Sequence, residues 1–229
     1  MVSDSASISR ASEAERRLPG LFVVLEGIDG CGSTTQAKLL AALLQSHGAE
    51  VQVTCEPSSG PIGVLIRQAL QRRLPTTEAG APRHFDWSTM ALLFAADRMD
   101  HLTSTVLPAL AAGSVVISDR YDLSSLAYQS VTAQHGADAV PWIRELNAQA
   151  RRPDLTIVID VPAEVAEERR RARGGVEELF EARELQARLA TVYARAEQLV
   201  PEDRVLHVSG VGELNEVTAR LFEAVISVL

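Results

Sequence analysis

Apolar residues along this chain come in five short runs separated by stretches of helical periodicity. The runs are Leu21–Glu26, Val51–Thr54, Val115–Ser118, Leu155–Asp160 and Val205–Val208, each bounded by polar or turn residues. Short, continuous apolar runs between turn signals read as buried strands. Between them the pattern predicts helices at 34–47 (closed by Gly48), 64–73 and 86–107, then an arginine-rich helix after the fourth run. Two further amphipathic helices are expected at 181–200 and 214–229, and a polar, Pro-containing loop at 74–83. Strand and helix alternate, which predicts an α/β fold with a parallel sheet covered on both faces. There is no internal repeat and no linker that would separate domains.

Ligands of such sheets sit outside the carboxyl ends of the strands. Asp29 and a glycine-rich turn follow the first run, Glu56 the second, and Asp119 and Arg120 the third. Residues 21–36 read LFVVLEGIDGCGSTTQ. Against the phosphate-binding frame GxxxxGK[ST], this stretch supplies Gly27, Ile28, Asp29, Gly30, Cys31 and Gly32, then Ser33, Thr34 and Thr35. The backbone N–H groups of such a turn, with the positive end of the following helix, cradle phosphates. The Thr34 hydroxyl stands where Mg²⁺ is held, and Asp119 fits the carboxylate of the same metal shell. Taken singly, a plain strand–turn–helix corner and a helix-capping aspartate are the alternatives.

The frame departs at Ser33, where the lysine is missing. A unit charge ~4 Å from the phosphates, at an effective dielectric of ~20, is worth on the order of 4 kcal/mol. That is roughly a thousandfold in rate if all of it acts on the transition state. Lys38, the only lysine, lies about 7 Å further along the helix and about 140° around it. A substitute cation has to come from elsewhere. The densest positive charge is Arg169, Arg170, Arg171 and Arg173, followed by Gly174–Gly175. This suggests a mobile flap carrying cations over a phosphate-transfer site; a solvated face is the other reading.

Phe94 and Arg98 are spaced i, i+4 and share a helix face. An aromatic plane beside a guanidinium can stack a base and bond its edge, but spacing alone favours a core phenylalanine with an arginine salt-bridged nearby. Arg67, near the start of its helix, can reach an anion or stay solvated. Arg120 suits a phosphate clamp, with Tyr121 and Tyr128 as pocket walls.

Composition narrows the partners. The chain has 229 residues and a net charge of −8, which argues against a general nucleic-acid or membrane surface. Its 22 basic residues include 21 arginines, enough to build a local anion site. No apolar run reaches membrane-spanning length. Cys31 and Cys55 form no disulfide framework and suit a reducing, cytoplasmic compartment. Residues 1–19 are rich in Ser, Ala, Glu and Arg and read as a disordered extension. Residues 20–229 read as one domain, with a lid at about 167–182. The five histidines show no metal-ligand spacing.

From Leu21 onward the chain resembles the thymidylate kinases. LEGIDGCGSTTQ is similar to the family's phosphate loop except at Ser33, and SDRYDLSSLAYQ matches its DRY-x-x-S-x-x-A-Y signature at every fixed position. LLFAADR resembles the thymine-site helix and PDLTIVIDVP the fourth strand. The resemblance implies a five-stranded P-loop kinase sheet, a homodimer and Mg·ATP-dependent phosphorylation of dTMP to dTDP. It further implies that Phe94 stacks on thymine, Arg98 contacts the base and Arg120 holds the dTMP phosphate, with Arg67 a second candidate. Asp29 would sit by the acceptor sugar and phosphate, and Tyr128 with Ser125 would pack beneath the deoxyribose. Two more positions depart from the family pattern: Cys55 precedes the Glu56–Pro57 pair where an arginine is usual, and EELFE (Glu177–Glu181) lacks the lid's arginine. Arg171 or Arg173 would then compensate for Ser33. A kinase of another nucleoside monophosphate, or a silent nucleotide-binding pseudokinase, are the alternatives.

Overall fold

The computed structural model describes residues 20–71, 76–78, 81–83, 85–133, 136–174 and 183–228. The expected extension at 1–19 and most of the expected lid, 175–182, lie outside these residues, as does the Arg173 side chain.

Five strands form one parallel sheet: β1 (Phe22–Glu26), β2 (Val51–Cys55), β5 (Val115–Asp119), β6 (Leu155–Asp160) and β7 (Val205–Ser209), in the order β2-β5-β1-β6-β7. The central strands β1 and β5 are buried at every position, which is why they read as unbroken apolar runs. The edge strands β2 and β7 are half exposed and carry Gln52 and His207. Successive side chains of β1 point to opposite faces. Val23 and Leu25 join a core with Leu40, Leu44 and Leu221, whereas Phe22 and Val24 meet Leu102, Val106 and Tyr121.

The crossovers are helical: α1 (Ser33–Ser46) after β1, α2 (Pro61–Leu70) and α3 (Trp87–His101) after β2, and α5 (Asp122–Thr132) and α6 (Val140–Leu146) after β5. Beyond β6 come α7 (Ala163–Arg173), α8 (Arg183–Tyr193) and α9 (Ala196–Leu199), and α10 (Leu214–Ile226) follows β7. The helix expected at 64–73 starts earlier, at Pro61, whose fixed φ and absent N–H suit a first turn. The long helix expected at 86–107 starts on an Asp86 N-cap, whose side chain accepts from Thr89 N–H. It passes through a π turn at Leu102–Val106 into α4 (Leu107–Ala111). The loop expected at 74–83 instead contains a two-stranded antiparallel ribbon, β3 (Thr76–Glu78) with β4 (Ala81–Arg83). Three-residue strands are too short for periodicity to reveal.

Candidate active site

The turn after β1 is shaped by glycines that no other residue could replace. At Gly27, φ is 151° and an added Cβ would lie 2.9 Å from both Cys31 Sγ and the Ile159 carbonyl oxygen. At Gly30, φ is 92° and a Cβ would meet the Ala166 carbonyl oxygen at 2.4 Å. Gly32 opens α1 in the left-handed region without a side-chain cap, leaving the helix's first N–H groups for a ligand. Cys31 is buried against the loop, and that burial pushes its thiol up, away from the reactive thiolate.

Thr34 and Asp119 meet across this loop. The Thr34 hydroxyl donates to Asp119 Oδ2 at 2.5 Å, while Asp119 Oδ1 is buried without a hydrogen-bond partner. A hydroxyl and a carboxylate with one buried, unsatisfied oxygen are the hard oxygen donors that Mg²⁺ takes, with phosphates and water completing the shell. The residues fit the ion. Among the described residues no cluster of three His, Cys, Asp or Glu side chains competes for a metal.

Arg120 is the structural pivot. Its φ of 75° is the single positive value among described non-glycine residues. Such a backbone persists only when its surroundings hold it. Ser118 Oγ donates to the Arg120 carbonyl at 2.7 Å, and the next N–H, of Tyr121, donates to Glu26 Oε1 at 2.8 Å. The kink sends the guanidinium toward the loop. There it donates to Asp29 Oδ1 at 2.5 Å and to the Gly27 carbonyl at 3.1 Å, with its carbon 5.1 Å from the Tyr128 ring centroid.

Glu26 is fully buried at the end of β1 and also accepts from Ser124 N–H, Ser124 Oγ and Tyr193 Oη. Burial pushes its carboxyl up to about 7, against the pull of Arg120 and of these donors.

Two cavities flank this pivot, and Asp29 with Arg120 lines both. One, about 120 Å³, is walled by Phe94, Arg98, Ser125, Tyr128 and Gln129. The other, about 1210 Å³, follows the loop from Asp29 to Gln36 and includes Arg169 and Arg170. The smaller is lined by the aromatic and polar side chains a base and sugar would meet; the larger can take an extended polyphosphate.

In the smaller cavity Arg98 is buried and heavily engaged. Its Nε donates to Glu56 Oε2 at 3.0 Å, Nη2 to Ser125 Oγ at 3.0 Å, and Nη1 to Asn147 Oδ1. Glu56 is held in turn by His101, which reaches Thr54. Gln129 Oε1 is buried with no partner. Both readings of the Phe94–Arg98 pair meet here, since the arginine is salt-bridged and still lines the cavity.

The structure therefore gathers Gly27 to Thr35, Asp119 and Arg120 at one sheet edge, with Phe94, Arg98, Ser125 and Tyr128 alongside. Arg67 lies outside both cavities, its guanidinium donating to the Pro57 carbonyl at 2.7 Å. Arg171 points to solvent, its side chain 76% exposed, and pairs with Glu167. Among the residues that escaped the sequence reading are Glu26, Gln186 and Tyr193. Glu26 carried a signal, an acid closing a buried run. Gln186 and Tyr193 carried none, because α8 meets the loop only in the folded chain.

A parallel sheet with a glycine loop, a metal-ready Thr–Asp pair and two cavities joined at a cation defines a phosphate-loop nucleotide-binding protein. Comparison with known proteins narrows this. The family model described as Thymidylate kinase matches residues 25–220. A probable thymidylate kinase of Pyrococcus abyssi is 40% identical over 198 residues, covering 86% of this chain and 93% of that protein. A thymidylate kinase of Rhizorhabdus wittichii is 36% identical over 216 residues, covering 93% of this chain and all of that protein. The chain belongs to the thymidylate kinase family.

Proposed function

We propose that this chain transfers the γ-phosphoryl group of ATP to dTMP, giving dTDP and ADP. The observation that carries the reading is the meeting of two cavities at Asp29 and Arg120. One suits a nucleoside monophosphate and the other a triphosphate, so donor and acceptor phosphates converge on one arginine.

A dTMP phosphate oxygen attacks the γ-phosphorus in line, and the bond to the ADP oxygen breaks. No covalent protein intermediate is needed, because such transfers rest on positioning and charge neutralisation. Arg120 aligns the acceptor phosphate, and Asp29 orients Arg120 and faces the acceptor sugar. The loop N–H groups hold the donor phosphates. Thr34 and Asp119 would hold Mg²⁺, which when bound neutralises phosphate charge. Phe94 stacks on the base, Arg98 contacts its edge, and Tyr128 with Ser125 packs beneath the deoxyribose and disfavours a 2′-hydroxyl.

A cytoplasmic enzyme, with residues 20–229 as one domain, fits the cysteine usage and the absence, among the described residues, of any helix able to cross a membrane. A homodimer is supported by the apolar strip of Leu92, Ala96 and Met99 along α3, where Leu92 is 50% exposed.

The test is steady-state phosphorylation of dTMP, dUMP, dCMP and UMP by Mg·ATP. Selective turnover of dTMP is expected. Equal rates on UMP would instead favour a kinase of another nucleoside monophosphate.

A further inference from the structure

Ser33 leaves the phosphate loop without its cation, and besides Arg120 two further arginines, both in the wall of the donor cleft, bond the loop's backbone. Arg169 Nη1 donates to the Cys31 carbonyl at 3.2 Å and Nη2 to the Gly210 carbonyl at 3.0 Å. Arg170 Nη1 donates to the Asp29 carbonyl. Helix α7 is packed directly on the loop, since a Cβ on Gly30 would sit 2.4 Å from the Ala166 carbonyl oxygen and 3.1 Å from Arg170 Cγ. Both arginines therefore sit on the stretch of the helix packed against the loop.

The C=O and N–H of a trans peptide point in opposite directions. A guanidinium on the Asp29 carbonyl therefore turns the Gly30 N–H away from itself, and one on the Cys31 carbonyl does the same for the Gly32 N–H. Both amides belong to the loop that lines the donor cleft. The carbonyl partners do not neutralise the two guanidiniums, and among the described residues neither arginine has a carboxylate partner.

We infer that Arg169 and Arg170 replace the missing lysine as positioning residues. They fix the Gly30 and Gly32 N–H groups toward a nucleoside polyphosphate and place two positive charges in the wall of its cleft. This rests on the donor-cleft half of the proposed function. It differs from a flap arginine closing over the site, because the charge is in place before any ligand arrives.

The experiment is calorimetric titration of the full chain with the Mg complex of a non-hydrolysable ATP analogue and, separately, with dTMP. The variants are Arg169→Gln, Arg170→Gln, Arg170→Lys and Arg170→Gln combined with Ser33→Lys. Glutamine keeps a donor and loses the charge. Each glutamine variant should bind the analogue about tenfold more weakly, the scale of one charge-assisted contact, with dTMP affinity unchanged. Arg170→Lys should retain most of the affinity, and adding Ser33→Lys to Arg170→Gln should restore it. Unchanged analogue affinity in both glutamine variants overturns the inference. So does a loss shared by dTMP that lysine at position 33 fails to rescue, which is the mark of a purely structural role. Failure of the natural chain to bind the analogue overturns it as well. Binding is read without turnover, so an inactive but ATP-binding chain would sink the kinase reading alone.

Discussion

Gln186 closes two hydrogen bonds on Asp29: its Oε1 accepts from the Asp29 N–H at 2.9 Å, and its Nε2 donates to Asp29 Oδ2 at 2.8 Å. Asp29 in turn holds Arg120, and seven residues further along α8 Tyr193 reaches Ser124 and Glu26. Helix α8 is thus latched to both ends of the pivot. Gln186→Leu keeps the bulk and removes both bonds. It should lower kcat/KM for dTMP about tenfold, the cost of one to two buried hydrogen bonds. A change under twofold would reduce the latch to packing.

Arg98 and Glu56 are both essentially inaccessible, with side chains 1% and 2% exposed. Removing one charge of such a pair strands the other. Arg98→Ala should therefore destabilise the protein by about 3–5 kcal/mol, measured by urea unfolding at pH 7.5. A loss below about 1 kcal/mol would mean that Glu56 is relieved by His101 alone.

Glu26 makes stability depend on pH. Its folded pKa, about 7, stands above the ordinary 4.5, so between those values the folded state binds more protons than the unfolded chain. Its contribution is complete below about 4.5, declines as pH rises and is lost above about 7. The span corresponds to about 3 kcal/mol. Glu26→Gln mimics the protonated acid: its carbonyl can accept the Tyr121 and Ser124 N–H groups. Unfolding curves from pH 4.5 to 8 should show the natural protein losing about 3 kcal/mol relative to this variant. Parallel profiles would show that Glu26 stays ionised.

Much of the fold was legible because the central strands are buried on both faces and read as short apolar runs between turn signals. The Gly27–Thr34 turn and the acid at Asp119 were legible for a related reason: loops at strand ends are local in sequence. What escaped was long-range. Gln186 lies 157 residues from Asp29, and nothing about an amphipathic helix says which polar residue will face a loop. The choice among the arginines 169–173 was not legible in the sequence, which pointed to Arg171 or Arg173. It comes only from the fold: Ala166 is buried, and residues three and four further along share its face, which singles out Arg169 and Arg170 over Arg171. The ribbon at 76–83 had no clue at all.

The most direct measurement follows dTDP formation from dTMP and Mg·ATP by the natural chain, Ser33 in place, beside Ser33→Lys. The account predicts dTMP-selective turnover by the natural chain, with at most a modest gain from the lysine. If the natural chain binds dTMP but only Ser33→Lys makes dTDP, the account is contradicted, and the protein is a nucleotide-binding member that has lost its chemistry.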